Sequence, residues 1–262
     1  MQEGDALRCL SSSGNVDSVF VIGYFRLEDD LDRILATLTK DAVLSRAIQQ
    51  FYGLRLIRQD QWECLASFVL ATNANIPRIS KMVSAICERY GRPLEFEGEI
   101  FRSFPEPMAL ANARVEDLTQ CGLGYRASFL KRVASSVAGG KVDFARLSSL
   151  EYEDSCKELL RELFGEKVLL GVGPKVADCV LLYSCGKDEA FPIDVWIAKV
   201  LARSFPLQFI QKINRRNSRD KKAKLSPAEY ARVSRAVRAH FGSYAGYAQQ
   251  YLYVAAREES RL

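Results

Sequence analysis

Apolar residues recur at helical spacing along almost the whole chain, and this periodicity restricts the fold to a mainly α one. Leu31, Ile34, Leu35 and Leu38 fall at i, i+3, i+4 and i+7. Leu44, Ile48 and Phe51 repeat the stripe, as do Ile79, Met82, Val83 and Ile86. The last of these helices should end at Tyr90-Gly91, where glycine suits a left-handed cap. Phe129, Val133 and Val137 mark a helix stopped by Gly139-Gly140. Further helices are expected over 154–164, 174–184, 195–202, 227–240 and 244–257. Strand-like alternation is nearly absent, and SVFVIGYF, Ser18 to Phe25, is the one stretch that reads as β. The expectation is two helical subdomains with a small N-terminal β remnant over 1–25. The main helical domain would then run over 26–257 and a short tail over 258–262. The turn formers between Gly91 and Pro107 are the candidate division. A chain of 262 residues can bury a core of this kind without staples.

The chemistry open to the chain is narrowed by its one histidine, His240. Neither a His-rich metal site nor a Ser-His-Asp machine with a spare imidazole is within reach. Catalysis would have to run on Lys, Asp or Glu, Cys and Tyr. The seven cysteines are odd in number and widely spaced, with no CxxC, which argues for reduced thiols and an intracellular protein. The start, Met1-Gln2-Glu3-Gly4-Asp5, is acidic where a signal peptide needs basic residues and an apolar run. No apolar stretch approaches membrane-spanning length. Residues 212–224, KINRRNSRDKKAK, hold seven basic residues against one acid. That exceeds the net +5 of the whole chain, so the positive charge is one local feature. It reads as a mobile loop: a solvated charge run, a phosphate-contacting arm or a nuclear-import signal.

Leu169 to Leu182 reads LLGVGPKVADCVLL. Two helices should meet at Gly171-Val172-Gly173, a tight turn whose backbone N–H groups, with the helix dipole, make a phosphate site. Pro174 fits the first helical turn. The pattern is neither a Walker loop nor a dinucleotide fingerprint. A plain tight turn is the bland alternative. Lys175 sits at the positive end of the helix dipole, which should lower the pKa of its amine toward a usable nucleophile. Otherwise it is a phosphate-binding lysine. Asp194, in Phe191-Pro192-Ile193-Asp194-Val195-Trp196, can cap the next helix. Lys175 with Cys179, and Gln249 with Tyr253, are i, i+4 pairs on single helix faces.

The hairpin glycines, VADC and Pro-x-Asp-Val together resemble the helix–hairpin–helix DNA glycosylases. The resemblance is nearest to the 8-oxoguanine DNA glycosylase/AP lyases. It extends to Arg55-Leu56-Ile57-Arg58-Gln59-Asp60 with Glu63-Cys64-Leu65, and to Thr72-Asn73-Ala74-Asn75-Ile76-Pro77-Arg78-Ile79. It takes in Gly122-Leu123-Gly124-Tyr125-Arg126-Ala127 and Gly242-Ser243-Tyr244-Ala245-Gly246-Tyr247-Ala248-Gln249. These segments stand in the family's order from about Tyr24 to Arg257. The resemblance implies a helix–hairpin–helix over 155–184 and a nucleotide flipped out of damaged double-stranded DNA. It implies Lys175 as the amine that forms a Schiff base and drives β-elimination, and Asp194 as the carboxylate that stabilises the sugar cation. Cys179 and Tyr253 would sandwich the flipped base and Gln249 would bond its Watson–Crick edge. Asn73, Arg78 and Arg126 would read the orphaned cytosine beside the wedge Tyr125. Gly171, Val172 and Gly173 would bind phosphate. A monomer that requires no cofactor is implied, with a structural cation at the hairpin as in relatives. The compartment would be the nucleus in a eukaryote, or the cytoplasm and nucleoid in a prokaryote.

Departures from the family pattern bear on these expectations. The segment before the hairpin is longer, and Leu170 stands where proline is usual. Trp196 replaces a histidine, and Ala256 an acidic residue thought to interact with it, so the two changes look compensated. The β-domain that begins many relatives has at most a strand or two here. No residue matches the glycine that separates 8-oxoguanine from guanine. An endonuclease III-like enzyme for oxidised pyrimidines would need an iron–sulfur cysteine cluster after the catalytic helix, and the last cysteine is Cys185. Two alternatives stand beside the main reading: the same chemistry on another oxidised base, and a non-catalytic helix–hairpin–helix DNA-binding protein. The pairing of Lys175 with Asp194 argues against the second.

Overall fold

Side-chain caps start most of the long helices, and apolar stripes then dictate which face each one buries. The computed structural model describes residues 2–3, 6–11, 14–163, 166–205 and 225–260. The basic segment 212–224 lies outside the described residues. Helix α1 is Ser18–Phe25, α2 Leu31–Leu38, α3 Ala42–Gln50, α4 Gln61–Leu70 and α5 Ile76–Tyr90. Then come α6 Pro107–Asn112, α7 Val115–Leu118, α8 Arg126–Ala138, α9 Phe144–Ser149 and α10 Tyr152–Leu159. The series ends with α11 Pro174–Ser184, α12 Val195–Ser204, α13 Pro227–Phe241 and α14 Ala245–Glu259. The expected mainly α architecture is therefore present. The boundaries of α2 and α11 match the expected ones to the residue.

Packing falls into two groups joined by α11. Helix α4 is buried nearly all round, through Trp62, Cys64, Leu65, Ala66, Val69 and Leu70, and packs on α8 and α11. Helix α14 packs on α3 and α12. One continuous apolar core runs through both groups. Leu44, Leu65 and Leu70 are fully enclosed in it, each contributing about 2 kcal/mol by burial. Arg26 ties the N-terminal stretch to the second group. It is 5% exposed and makes two bonds to Asp188, at 2.7 and 2.6 Å, and an ion pair with Asp29 at 2.8 Å.

Four expectations need correction. Ser18–Phe25 is helix α1 rather than strand, because Asp17 accepts the N–H groups of Val19 and Phe20 as an N-cap. A run apolar at nearly every position carries neither period, so the cap decides. The only strand pairing among the described residues before α1 is β1 Gln2–Glu3 with β2 Ala6–Leu7. Gly91 is extended, at φ −77° and ψ 151°, rather than left-handed. Its missing side chain instead lets the backbone of Ser103 and Cys87 approach. The stretch 91–107 holds an antiparallel hairpin, β3 Pro93–Phe96 with β4 Glu99–Arg102. Finally, the helix expected over 154–164 stops at Leu159 and is followed by β5 Glu162–Leu163 and β6 Glu166–Lys167.

Candidate active site

The glycine bend owes its shape to two different demands. Gly171 has φ +86°, and a side chain there would strike the ring of Phe129. Gly173 has an ordinary φ of −110° and heads α11 as its N-cap. A methyl group at Gly173 would meet open space, so a phosphate can approach the backbone closely at this point. No side chain caps α11, which leaves the N–H groups of its first turn and the dipole directed at solvent. Val172 does not share this role. Its N–H donates to Leu169 O at 3.2 Å and its side chain is buried, so the phosphate site expected at Gly171-Val172-Gly173 contracts to the Gly173 end.

In the first turn of α11, Lys175 opens into a cleft of about 340 Å³. Cys179, Asp194, Gln249 and Tyr253 line the same cleft. Five residues singled out in the sequence, carried on α11, α12 and α14, thus converge. Asp194 caps α12: its Oδ1 accepts the N–H groups of Trp196 and Ile197 at 3.0 and 2.8 Å. Among the described residues no direct ion pair joins Lys175 to Asp194, so the carboxylate acts on the amine through space across the cleft.

The electrostatics of the amine differ from the expectation. Burial works to lower the pKa of Lys175. The hydrogen bond to the Cys179 sulfur and the charge of the Asp194 carboxylate outweigh it and hold the amine above the ordinary lysine value. A helix N-terminus carries only about half a charge, less than one nearby carboxylate supplies. The Lys175 ammonium also lies 4.8 Å from the centre of the Phe68 ring. Burial pushes the Cys179 thiol up to about 11, so at neutral pH its sulfur is an uncharged wall. Gln249 is 4% exposed. Its Nε2 donates to Pro192 O at 3.2 Å, while its buried Oε1 has no partner among the described residues.

The residues expected to read an orphaned base form a second cluster. Asn73 adopts φ +54°, and its Nδ2 donates to the hydroxyl of Tyr125 at 3.1 Å. Arg126, also expected to read the orphaned cytosine, is 2% exposed. It donates to the carbonyls of Thr72 and Asn73 and lies 4.5 Å from the Tyr125 ring centre. Arg126 therefore fixes the loop that presents Asn73. Arg78 is exposed at the start of α5. Tyr125 packs edge-on against Phe129, whose ring meets Gly171, so the cluster and the hairpin share one aromatic contact. Trp196 has Lys199 and Arg257 at its ring, 4.8 and 5.4 Å away.

Sequence reasoning missed Phe68 and Tyr183, which stack 5.7 Å apart beneath the amine, and Arg55 and Gln59 on the cleft wall. Tyr183 is i+4 from Cys179 and could have been read from that spacing. Phe68 comes from α4 and carries no local signal. Among the described residues no group of three or more His, Cys, Asp or Glu is placed to hold a metal.

Comparison with known proteins gives the same picture. The family model "8-oxoguanine DNA glycosylase, N-terminal domain" matches residues 10–65. "Probable N-glycosylase/DNA lyase" of Methanothermobacter thermautotrophicus is 33% identical over 91% of this chain and 74% of its own length. "N-glycosylase/DNA lyase" of Saccharomyces cerevisiae is 29% identical over 92% of this chain and 67% of its own. Among solved structures, the Clostridium acetobutylicum 8-oxoguanine glycosylase/lyase bound to double-stranded DNA with cytosine opposite 8-oxoG superposes with a TM-score of 0.77. It is 32% identical and the match covers 92% of this chain and 74% of that one. The family model "HhH-GPD superfamily base excision DNA repair protein" matches residues 66–224, and the chain belongs to that superfamily.

Proposed function

We propose that the protein is a bifunctional DNA glycosylase and AP lyase that removes 8-oxoguanine, preferentially opposite cytosine, from double-stranded DNA. The relatives it is most informative to compare carry that double activity in their names. The observation that carries the reading is the convergence of Lys175, Asp194 and a buried base reader on one cleft.

A flipped nucleotide fills the cleft and excludes water, and burial is the one influence here that favours the neutral amine. Lys175 Nζ then attacks C1′. The C1′–N9 bond breaks and the base leaves with a proton shed by the amine; the C1′–O4′ bond then opens, O4′ takes up a second amine proton, and a Schiff base joins lysine to the ring-opened sugar. Asp194 stabilises the positive charge that develops on the sugar. Loss of the C2′ proton then expels the 3′ phosphate by β-elimination. These steps run on side chains alone and call on no cofactor.

Gln249 supports a guanine-type substrate. Its nitrogen is committed to Pro192 O, so the group left for the base is an acceptor. An acceptor suits the N1–H and N2–H donors of a guanine-type edge, whereas adenine offers an acceptor at N1. This favours 8-oxoguanine over the 3-methyladenine named for more distant relatives. Gly173 and the first turn of α11 hold a backbone phosphate. Asn73, held by Tyr125 and Arg126, fills the gap left in the stack, and Arg78 reaches the orphaned cytosine. Borohydride added to the protein with an 8-oxoguanine:cytosine duplex is expected to trap a covalent adduct that Lys175→Gln abolishes. An adduct that survives the substitution would refute the proposal.

A further inference from the structure

The back of α11 carries a buried acid that the steps above leave unused. Asp178 is 1% exposed and adjoins Cys179. Its carboxylate accepts the hydroxyl of Tyr152 at 2.5 Å and that of Tyr230 at 2.6 Å. Burial pushes its pKa up to about 6 against the pull of both phenols. Because Tyr230 gives its proton to Asp178, its oxygen is free to accept. It takes the backbone N–H of Ile193 at 3.1 Å.

That N–H belongs to the peptide unit whose carbonyl is Pro192 O, the acceptor for Gln249 Nε2 at 3.2 Å. A peptide unit is planar and rigid. Holding its N–H on Tyr230 therefore aims its C=O at Gln249. A carbonyl can only accept, so it selects the amide orientation with nitrogen on Pro192 O, leaving the buried oxygen as the amide atom without a partner among the described residues. Were the peptide turned, the Gln249 side chain could rotate and offer the base two donors instead of an acceptor.

We infer that Tyr230 and Asp178 are specificity-determining positioning residues: through the Pro192–Ile193 peptide they fix which atom Gln249 presents to the base. The inference rests on the reading of Gln249 as the base contact. Asp194 is held separately by its two bonds at the head of α12, so the network bears on base recognition more than on the sugar chemistry.

Single-turnover rates on two duplexes test this. One holds 8-oxoguanine opposite cytosine. The other holds a preformed abasic site, where Gln249 has no base to touch. Tyr230→Phe is expected to slow base removal about tenfold and abasic-strand cleavage less than about threefold, as for a small misplacement of one contact. Tyr152→Phe removes the other phenol bond to Asp178 and is expected to slow neither by more than about twofold. In a Gln249→Ala background, Tyr230→Phe should add less than about twofold, since its effect passes through the missing amide. Equal slowing on the two duplexes, or full additivity with Gln249→Ala, would overturn the inference. If Tyr230→Phe does not fold, Asp178→Asn carries the same comparison, because an amide oxygen and nitrogen cannot both accept phenol protons. A wild-type protein inactive on both duplexes would sink the proposed function itself. Active wild type with unselective variants would sink only this inference.

Discussion

At the scale of the residue, Asp194 shows how one side chain holds two separable roles. Its Oδ1 caps α12 through two backbone N–H groups, and its charge faces the cleft amine. Asparagine caps a helix about as well as aspartate but brings no charge. Asp194→Asn is therefore expected to change stability in a urea melt by less than about 0.5 kcal/mol. Base removal in single turnover should nevertheless fall about a hundredfold or more, as when an electrostatic stabiliser is removed. A large fall in stability with activity spared would place the residue in the fold and not in the chemistry. The cap was legible in the sequence from a lone Asp before an apolar run. The identity of the cleft set was legible from i, i+4 pairs and from the resemblance. The charge state of Lys175 was not, because a dipole argument sees one helix. The Asp194 carboxylate that counters it comes from the head of α12.

Among the elements, the hairpin separates glycine needed for conformation from glycine needed for approach. Gly171→Ala forces an alanine to φ +86° and its methyl into Phe129, and should destabilise the protein by about 1–3 kcal/mol. Gly173→Ala meets neither obstacle and should leave the urea midpoint nearly unchanged. Its methyl would stand where a phosphate approaches the first turn of α11, so DNA affinity in a binding titration should fall severalfold, by the partial loss of one charge-assisted contact. If Gly173→Ala weakens the fold as much as Gly171→Ala, the bend is a packing device throughout. The sequence displayed both glycines alike, since φ depends on what the chain must avoid, here a ring from α8. The same limit explains α1. SVFVIGYF has no period, and its helical state is decided by Asp17 outside the run. A helix with a clear stripe, such as α2 with Leu31, Ile34, Leu35 and Leu38 buried, declares its period within the run.

On the scale of the whole molecule, the cleft exists because distant segments meet. Phe68, which supports the amine, is over a hundred residues from Lys175 in sequence, and only the packing of α4 on α11 brings them together. Order and spacing of motifs could indicate the family but not this contact. The N-terminal stretch is joined to the site in a comparable way. Arg26 binds Asp188 through both guanidinium nitrogens, and the carbonyl of Asp188 accepts the N–H of Gly246 at 2.7 Å. Gly246 opens the helix that carries Gln249 and Tyr253. Tyr247, next in line, donates to Asp29 at 2.6 Å, closing the circuit. Removing the cation leaves two largely buried carboxylates facing one another, so Arg26→Ala should cost about 3 kcal/mol of stability. The ion pair of Arg89 with Asp117 is the natural contrast, since it is half exposed. Arg89→Ala should cost less than about 1 kcal/mol. Urea melts of the two variants beside wild type measure the difference. Near-equal midpoints would mean that water reaches Asp188 and Asp29 once the arginine is gone, and that the first helices hang on the molecule without bracing the helix that reads the base.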